Sequence, residues 1–517
     1  MNPSSASYKF DFVLHAIVLA VQIAALIPGG ILQNGATPPL VYPCLLILAA
    51  VTLYRQEESS RCYQTRLILI PSILSCLLYG FCLINEMTRD LWAFAQARQF
   101  PVIVRIFWYQ TGLLLIHPRI FPQTIAGLSR MHRALSSRGY YGAKLWVIAF
   151  AAFCLMWMLR SQNISPDGYD WLKHSTYAKH WVRYLREPFG TFLFFLFVQL
   201  GMKIFHWAPY ISITVLSISC GIISTLILWR VFRYAIDETF AGASLLLLLA
   251  SYGYTQIFVG NIEIYALLHL GLSIFLYSVI RYMEGEWAVW AVGFAFGVLF
   301  GLHLSAGWWL PAFAAVPFLK QSVIKKQCLF FSEYLLLFGG FALFWIPFGL
   351  FVWIYGYNGD FTVLWNHFWS DQVMNVGADG TMFRPMEALI TFNVYLAMFN
   401  EYSCMAAGGI MLIIVIAASR PGRKIWTPFC VWTGLLTFMY FIYSVVWNPD
   451  RHFPADWDIF SGMTIPAILL ISQLASRLHM RREAILYLFY QAIVFSGLYL
   501  FIQMLRNHIK TTEWPML

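Results

Sequence analysis

The sequence predicts an all-α polytopic membrane protein, a bundle of roughly 13–16 transmembrane helices with loops and juxtamembrane helices on its outer face. Three observations predict it. Of 517 residues, 60% are hydrophobic and only 11% are charged, whereas a soluble domain carries about 25% charged residues. Mean hydropathy is +0.66. Apolar stretches of spanning length recur from one end of the chain to the other and leave no soluble domain between them. The net charge of +10 has a membrane explanation. The basic residues are scattered, no nucleic-acid motif is present, and Lys and Arg anchor cytoplasmic loops against anionic headgroups.

In chain order the candidate spans are 12–32, 41–54, 66–84, 101–117, 144–161, 208–231, 240–258, 262–281, 286–302, 305–320, 330–355, 404–419, 425–446, 460–476 and 484–504. The stretches 188–206 and 386–401 fit either a span or an interfacial helix. The first stretch lacks a clustered basic flank and a small-residue cleavage site, so it reads as a retained helix. With the N-terminus inside and the spans alternating, roughly 21 of the 34 Lys and Arg fall on the cytoplasmic side. Among these are Arg230, Arg233, Lys320, Lys325, Lys326, Arg477, Arg481 and Arg482. The nine cysteines form no CxxC pair and lie mostly within apolar runs, as small packed hydrophobes do.

The same alternation puts most carboxylates outside, in four places. The first outer loop, 162–207, carries Asp167-Gly-Tyr-Asp170, then Arg183, Arg186 and Glu187-Pro188-Phe189-Gly190. A carboxylate there can take a proton from a hydroxyl, and nearby bases can hold a phosphate. A solvated loop inside an aromatic belt accounts for the same residues. Glu263, in Gly260-Asn261-Ile262-Glu263-Ile264-Tyr265, sits where an apolar helix begins. It reads equally as an intramembrane functional carboxylate or as one favoured by the helix dipole. His303, in Gly301-Leu302-His303-Leu304, stands between two short apolar stretches, where a satisfied polar residue is the commoner case. The loop 447–459 holds Arg451, His452, Asp456 and Asp458, either a polar site or the cap of the next helix. The loop 356–403 adds further aromatics and acids without a specific pattern.

Together these motifs resemble those of the GT-C superfamily, membrane glycosyltransferases that use polyprenyl-phosphate-linked sugars. Within it they are most similar to the bacterial relatives of protein O-mannosyltransferases. Asp167-Gly-Tyr-Asp170 followed by Glu187-Pro188 is similar to the family's acidic first loop and proline-containing segment. Glu263-Ile264-Tyr265 is similar to its Glu-Val-Tyr motif, and Gly301–Leu304 to its Gly-Leu, His-Leu segment. The resemblance covers roughly residues 144–480. It implies a catalytic module over 144–517, preceded by an N-terminal extension, 1–143, of about four helices. The family's catalytic loop usually follows the first span and its proline is usually doubled, so the chain departs from the pattern at both points.

The resemblance implies sugar transfer to a glycan, lipid or protein hydroxyl at the non-cytoplasmic face of the cell's inner membrane, with inversion. Asp167 would be the general base, Asp170 its helper and Glu263 a further catalytic carboxylate. Glu187, Arg183, Arg186, His303, Arg451, His452, Asp456 and Asp458 would bind substrate. No cofactor is expected; a divalent ion between Asp167 and Glu263 is the alternative, as in the metal-dependent members. The rival class is a transporter or flippase of lipid-linked sugars, which tends to show internal repeats and broken helices; no convincing repeat is present. A non-catalytic scaffold is the third reading.

Overall fold

The computed structural model describes residues 141–161, 166–176, 185–259, 264–320, 327–369, 383–385, 426–447, 457–478 and 482–506, with isolated positions at 111 and between 394 and 416. The four N-terminal spans and the extension 1–143 lie almost wholly outside these residues. Among the described residues the chain is helical, apart from one isolated bridge between Phe383 and Trp447. Among the described residues four helices are long and apolar enough to cross a membrane: α4 (Pro209–Ala235), α7 (Tyr265–Met283), α10 (Gln327–Phe351, with its turn to Gly356) and α12 (Pro428–Val446). This is the make-up of an all-α polytopic membrane protein.

The remaining helices are α1 (Tyr141–Leu159), α2 (Pro166–Thr176), α3 (Pro188–Ile204), α5 (Glu238–Ala250), α6 (Tyr252–Val259), α8 (Val289–Leu302), α9 (Leu310–Ala314), α11 (Phe361–Asn366), α13 (Thr464–Ser476) and α14 (Arg482–Arg506). Starts follow local rules. Proline opens α3, α4 and α12, where a missing N–H costs nothing. Asp237 caps α5 by accepting from the N–H groups of Thr239 and Phe240, and Thr427 caps α12 through Cys430 N–H.

Two expected spans take a different form. The stretch 240–258 is not one helix; α5 and α6 meet at a 57° bend. Ser251 breaks the ladder and repairs it, since its hydroxyl donates to Leu247 O at 2.7 Å and Thr255 Oγ1 donates to Leu249 O at 2.6 Å. Hydroxyls that take up freed carbonyls make a break tolerable in an apolar setting. The stretch 305–320 is likewise no continuous helix. It runs as a 3₁₀ segment Leu304–Trp309, then α9, then a 3₁₀ turn Val316–Leu319, with Pro311 and Pro317 interrupting it. The 3₁₀ rise of about 2.0 Å per residue lengthens its reach beyond that of an α-helix. Ala306, Trp309, Ala312, Phe313 and Val316 are fully buried. Its loosened carbonyls find partners on other helices: Trp432 Nε1 donates to Ala312 O and Tyr334 Oη to Ala314 O, both at 2.7 Å.

The element ends sort into two groups. At one end Arg482 pairs with Asp237 at 2.7 Å, Arg477 donates to Thr427 Oγ1 at 3.0 Å, and Lys320 lies 4.3 Å above the Tyr282 ring. At the other, Ser161 N–H donates to Val259 O, Tyr265 meets His303, and Arg384 donates to the last carbonyls of α12. Between them α7 is the most enclosed span and α10 the least. The outward stripe of α10, Phe331, Leu335, Leu343, Ile346, Leu350 and Ile354, is apolar and exposed, as a lipid-facing side must be.

Glycines let α8 and α10 touch. Gly293, Gly297 and Gly301 recur every fourth residue on α8, a spacing suited to close helix contact in membranes; Gly293 and Gly297 meet the α10 backbone at Leu337 and Phe341, and Gly301 meets the Phe344 ring. A Cβ on Gly340 would collide with the Trp290 carbonyl, whereas one on neighbouring Gly339 would meet nothing within 4 Å. Gly340→Ala is therefore expected to cost about 1–3 kcal/mol and Gly339→Ala almost nothing. Thermal unfolding of the two variants in detergent checks this; equal midpoints would remove the close contact as a source of stability.

Candidate functional site

The end where Tyr265 meets His303 gathers a buried carboxylate–imidazole pair from two distant helix termini. Glu187 precedes Pro188, and a residue before proline avoids the α region. It takes φ −136°, ψ 53° and does not cap its own helix with its side chain. Its carboxylate reaches instead to His303, with Nε2 to Oε1 at 3.1 Å. His303 ends α8 in an extended conformation and caps the following 3₁₀ segment, its Nδ1 accepting from Ser305 N–H at 3.0 Å. Because Nδ1 accepts, the ring proton is assigned to Nε2, directed at Glu187. Both ring nitrogens are thereby engaged, and the imidazole holds the carboxylate in place.

Neighbours tighten the arrangement. The Tyr265 ring lies 5.3 Å from the His303 ring. Leu304 N–H donates to Arg186 O at 2.8 Å, so the two loops are tied by backbone as well as by side chains. Gly190, one turn into α3, leaves no room for a side chain. A Cβ there would press on Ile264 and come within 3.0 Å of Leu302 O. Burial by itself would raise the Glu187 carboxyl's pKa. The hydrogen bond that His303 Nε2–H donates, with the Arg186 charge, outweighs burial and holds it below the ordinary carboxylate range.

The acidic turn of the first loop opens α2, so Asp167 and Asp170 are helical residues, described here in their backbone only. The register of α2 against α3 locates them. Trp171 packs edge-on against Phe194, and Gln199 Nε2 donates to Thr176 O at 3.0 Å. Both pairs lie 23 positions apart, so the two helices run side by side in one direction. The same offset carries Asp167 to the level of Gly190, one turn from Glu187.

Of the other expected site residues, Arg186 is half-buried beside the pair. Asp458 lies in the 3₁₀ segment Trp457–Met463, again in its backbone only. Glu263, Arg183, Arg451, His452 and Asp456 lie outside the described residues, although Val259 and Ile264, which flank residues 260–263, both sit at this end. Among the described residues no group of three or more His, Cys, Asp or Glu is placed to hold a metal ion. The Asp167 and Glu263 side chains expected to flank a divalent ion are not among them.

Sequence reasoning named Glu187 and His303 separately and missed their pairing. It also missed Arg384 as a buried residue, whose Nη1 donates to Val445 O at 2.7 Å and closes the end of α12. The one available signal for the pairing was that both residues stand at polar edges of apolar helices on the same predicted side. The chain matches no protein-family model, no curated protein and no solved structure.

Proposed function

We propose that the chain is a membrane glycosyltransferase. It moves a sugar from a polyprenyl-phosphate donor to a hydroxyl of a glycan, lipid or protein acceptor, at the non-cytoplasmic face of the inner membrane. The observation that carries the reading is the α2–α3 register, which sets the backbone of the acidic turn at Asp167 about one helical turn from the level of the buried Glu187–His303 pair. An acidic turn close to a fixed, buried carboxylate–imidazole pair suits a reaction in which a proton leaves a hydroxyl.

In this reading Asp167 accepts the acceptor's hydroxyl proton. The oxygen attacks the anomeric carbon, the carbon–oxygen bond to phosphate breaks, and the lipid phosphate leaves with the electron pair. One displacement inverts the anomeric centre. Arg186, whose charge acts on Glu187, is one candidate to receive the phosphate, with Arg183, Arg451 and His452 as the others. The Lys- and Arg-rich end faces the cytoplasm, which puts the pair on the outer side. The GT-C-like module, 144–517, supplies these parts.

The bend between α5 and α6 favours a second reading, a flippase of lipid-linked sugars, since broken helices mark transporter sites. One experiment separates the two. Purified protein in liposomes is given labelled polyprenyl-phosphate hexoses and pentoses with an acceptor extract. A new glycosidic product is expected. Donor that changes leaflet without forming product supports the flippase, and neither event in folded protein overturns both readings.

A further inference from the structure

Beyond α10 the chain turns back on itself. Asn358 and Gly359 take left-handed φ values of 52° and 79°, which Asn and Gly reach at least cost. Gly359 N–H donates to Trp353 O and Asp360 N–H to Tyr357 O. The Asp360 carboxylate then caps α11, accepting from Thr362 and Val363 N–H at 2.9 and 3.0 Å. The returning helix, continued as a wider turn over 367–369, has two unlike faces. Leu364 and Phe368 pack against the cluster that includes Leu185, Phe348 and Val352. Phe361, Trp365 and Trp369, spaced by four, are all exposed and form a ladder. Their ring centroids are 6.2 and 5.8 Å apart, with planes within 21° and 8° of parallel.

Depth and continuity identify what covers the ladder. Glu333 is the one charged side chain of α10, and hydrocarbon about 30 Å thick takes about 20 helical residues. Counted from Glu333, that length ends close to Trp353. The helix α11 begins just past this boundary and packs back on the last turns before it, so it lies along the boundary. The lipid-facing stripe of α10 continues through Leu350 and Ile354 almost to the turn, and the ladder follows directly after it. Three large exposed rings with Val363 beside them make an apolar surface that water tolerates poorly. Trp is suited to the interface because its ring meets acyl chains while its indole N–H meets headgroup oxygens. Charge has little to act on. From Tyr334 to Trp369 the chain carries no Lys or Arg, and its one carboxylate, Asp360, is engaged in the cap.

We propose that the Phe361–Trp365–Trp369 ladder is a lipid-docking surface, sunk in the headgroup–acyl boundary of the leaflet nearest the Glu187–His303 pair, and that this docking does not depend on headgroup charge. Apolar burial of the rings holds α11 in the interface, and Leu364 and Phe368 fasten it to the protein. The inference is independent of the reaction the chain performs.

The test reads the depth of two rungs in the full-length protein. With the nine native cysteines replaced, Trp365→Cys and Trp369→Cys are each given a small fluorophore and reconstituted in phosphatidylcholine vesicles. Ile354→Cys, on the lipid-facing stripe, is the reference. One quencher is a nitroxide high on the lipid acyl chain and the other is acrylamide in the water. An interfacial helix sits about 5–10 Å into the headgroup–acyl boundary, so the lipid nitroxide is expected to remove about half of the emission at both rungs, as at the reference. Acrylamide is expected to change it little. The result should be the same in about 0.5 M salt, where surface charge is screened, and after addition of phosphatidylglycerol. Quenching by acrylamide and not by lipid would place the ladder in water, open to a glycan or a protein, and overturns the proposal. Quenching by neither means that protein covers the ladder, another segment or a second copy, and overturns it too. Lipid quenching that appears only with phosphatidylglycerol overturns the independence from charge. Reading two rungs keeps a local effect of one substitution from deciding the outcome.

Discussion

Asp167→Asn is expected to lower sugar transfer by about 10²–10⁴-fold, the usual worth of a positioned general base. The substitution keeps size and one acceptor oxygen and removes the charge and the capacity to take the proton. Since α2 packs against α3 through Trp171 and Gln199 rather than through Asp167, the thermal midpoint should stay within a degree or two. Asp170→Asn, one turn along, is the internal comparison. A small effect there with a large one at Asp167 fixes the base at 167, and the reverse moves it to 170. Near-normal turnover in Asp167→Asn, in purified protein supplied with donor, would remove Asp167 from the mechanism.

The second large effect belongs to the buried pair. His303→Leu leaves the Glu187 carboxylate buried with its main partner gone and is expected to cost about 3 kcal/mol. Glu187→Gln keeps an acceptor for His303 Nε2 and should cost about 1 kcal/mol. The two differ in acid. The folded-state pKa of Glu187 lies below its ordinary 4.5. Its contribution is therefore complete above that ordinary value and is lost as pH falls through the lower folded value. The native protein should lose part of its stability below about pH 4.5, and Glu187→Gln should lose less over the same interval. Unfolding midpoints in detergent from pH 3 to 6 would decide the matter. Identical acid profiles for the two proteins would show that the pair contributes nothing to stability.

The parts legible in the sequence were those that lipid imposes. The spans at α4, α7, α10 and α12 are long and apolar because every backbone group in hydrocarbon must bond within its own helix, and composition records that demand directly. The α5–α6 break was not legible. It depends on Ser251 and Thr255 turning their hydroxyls onto Leu247 and Leu249 carbonyls, and the same residues inside an unbroken helix would look identical in the sequence. The site was legible in its parts and not in its assembly. Glu187 and His303 each stood out as a polar residue at the edge of an apolar run. Their contact depends on Gly190 admitting Ile264 and on the backbone tie from Leu304 to Arg186, which no local pattern encodes. Arg384 was just another loop cation in the sequence, because its partners are backbone carbonyls and carbonyls leave no trace in composition.

The interrupted passage from Leu304 to Leu319 bears on how the molecule is made. A segment cut by two prolines, with carbonyls that rely on Trp432 and Tyr334, cannot satisfy its own backbone in lipid when it first leaves the ribosome. Tyr334 arrives shortly afterwards, but Trp432 is synthesised more than a hundred residues later. Until then the Ala312 carbonyl lacks the partner it has in the folded protein. A chain truncated before Pro428 is therefore expected to be a substrate for membrane quality control even though each of its long helices is apolar enough to insert.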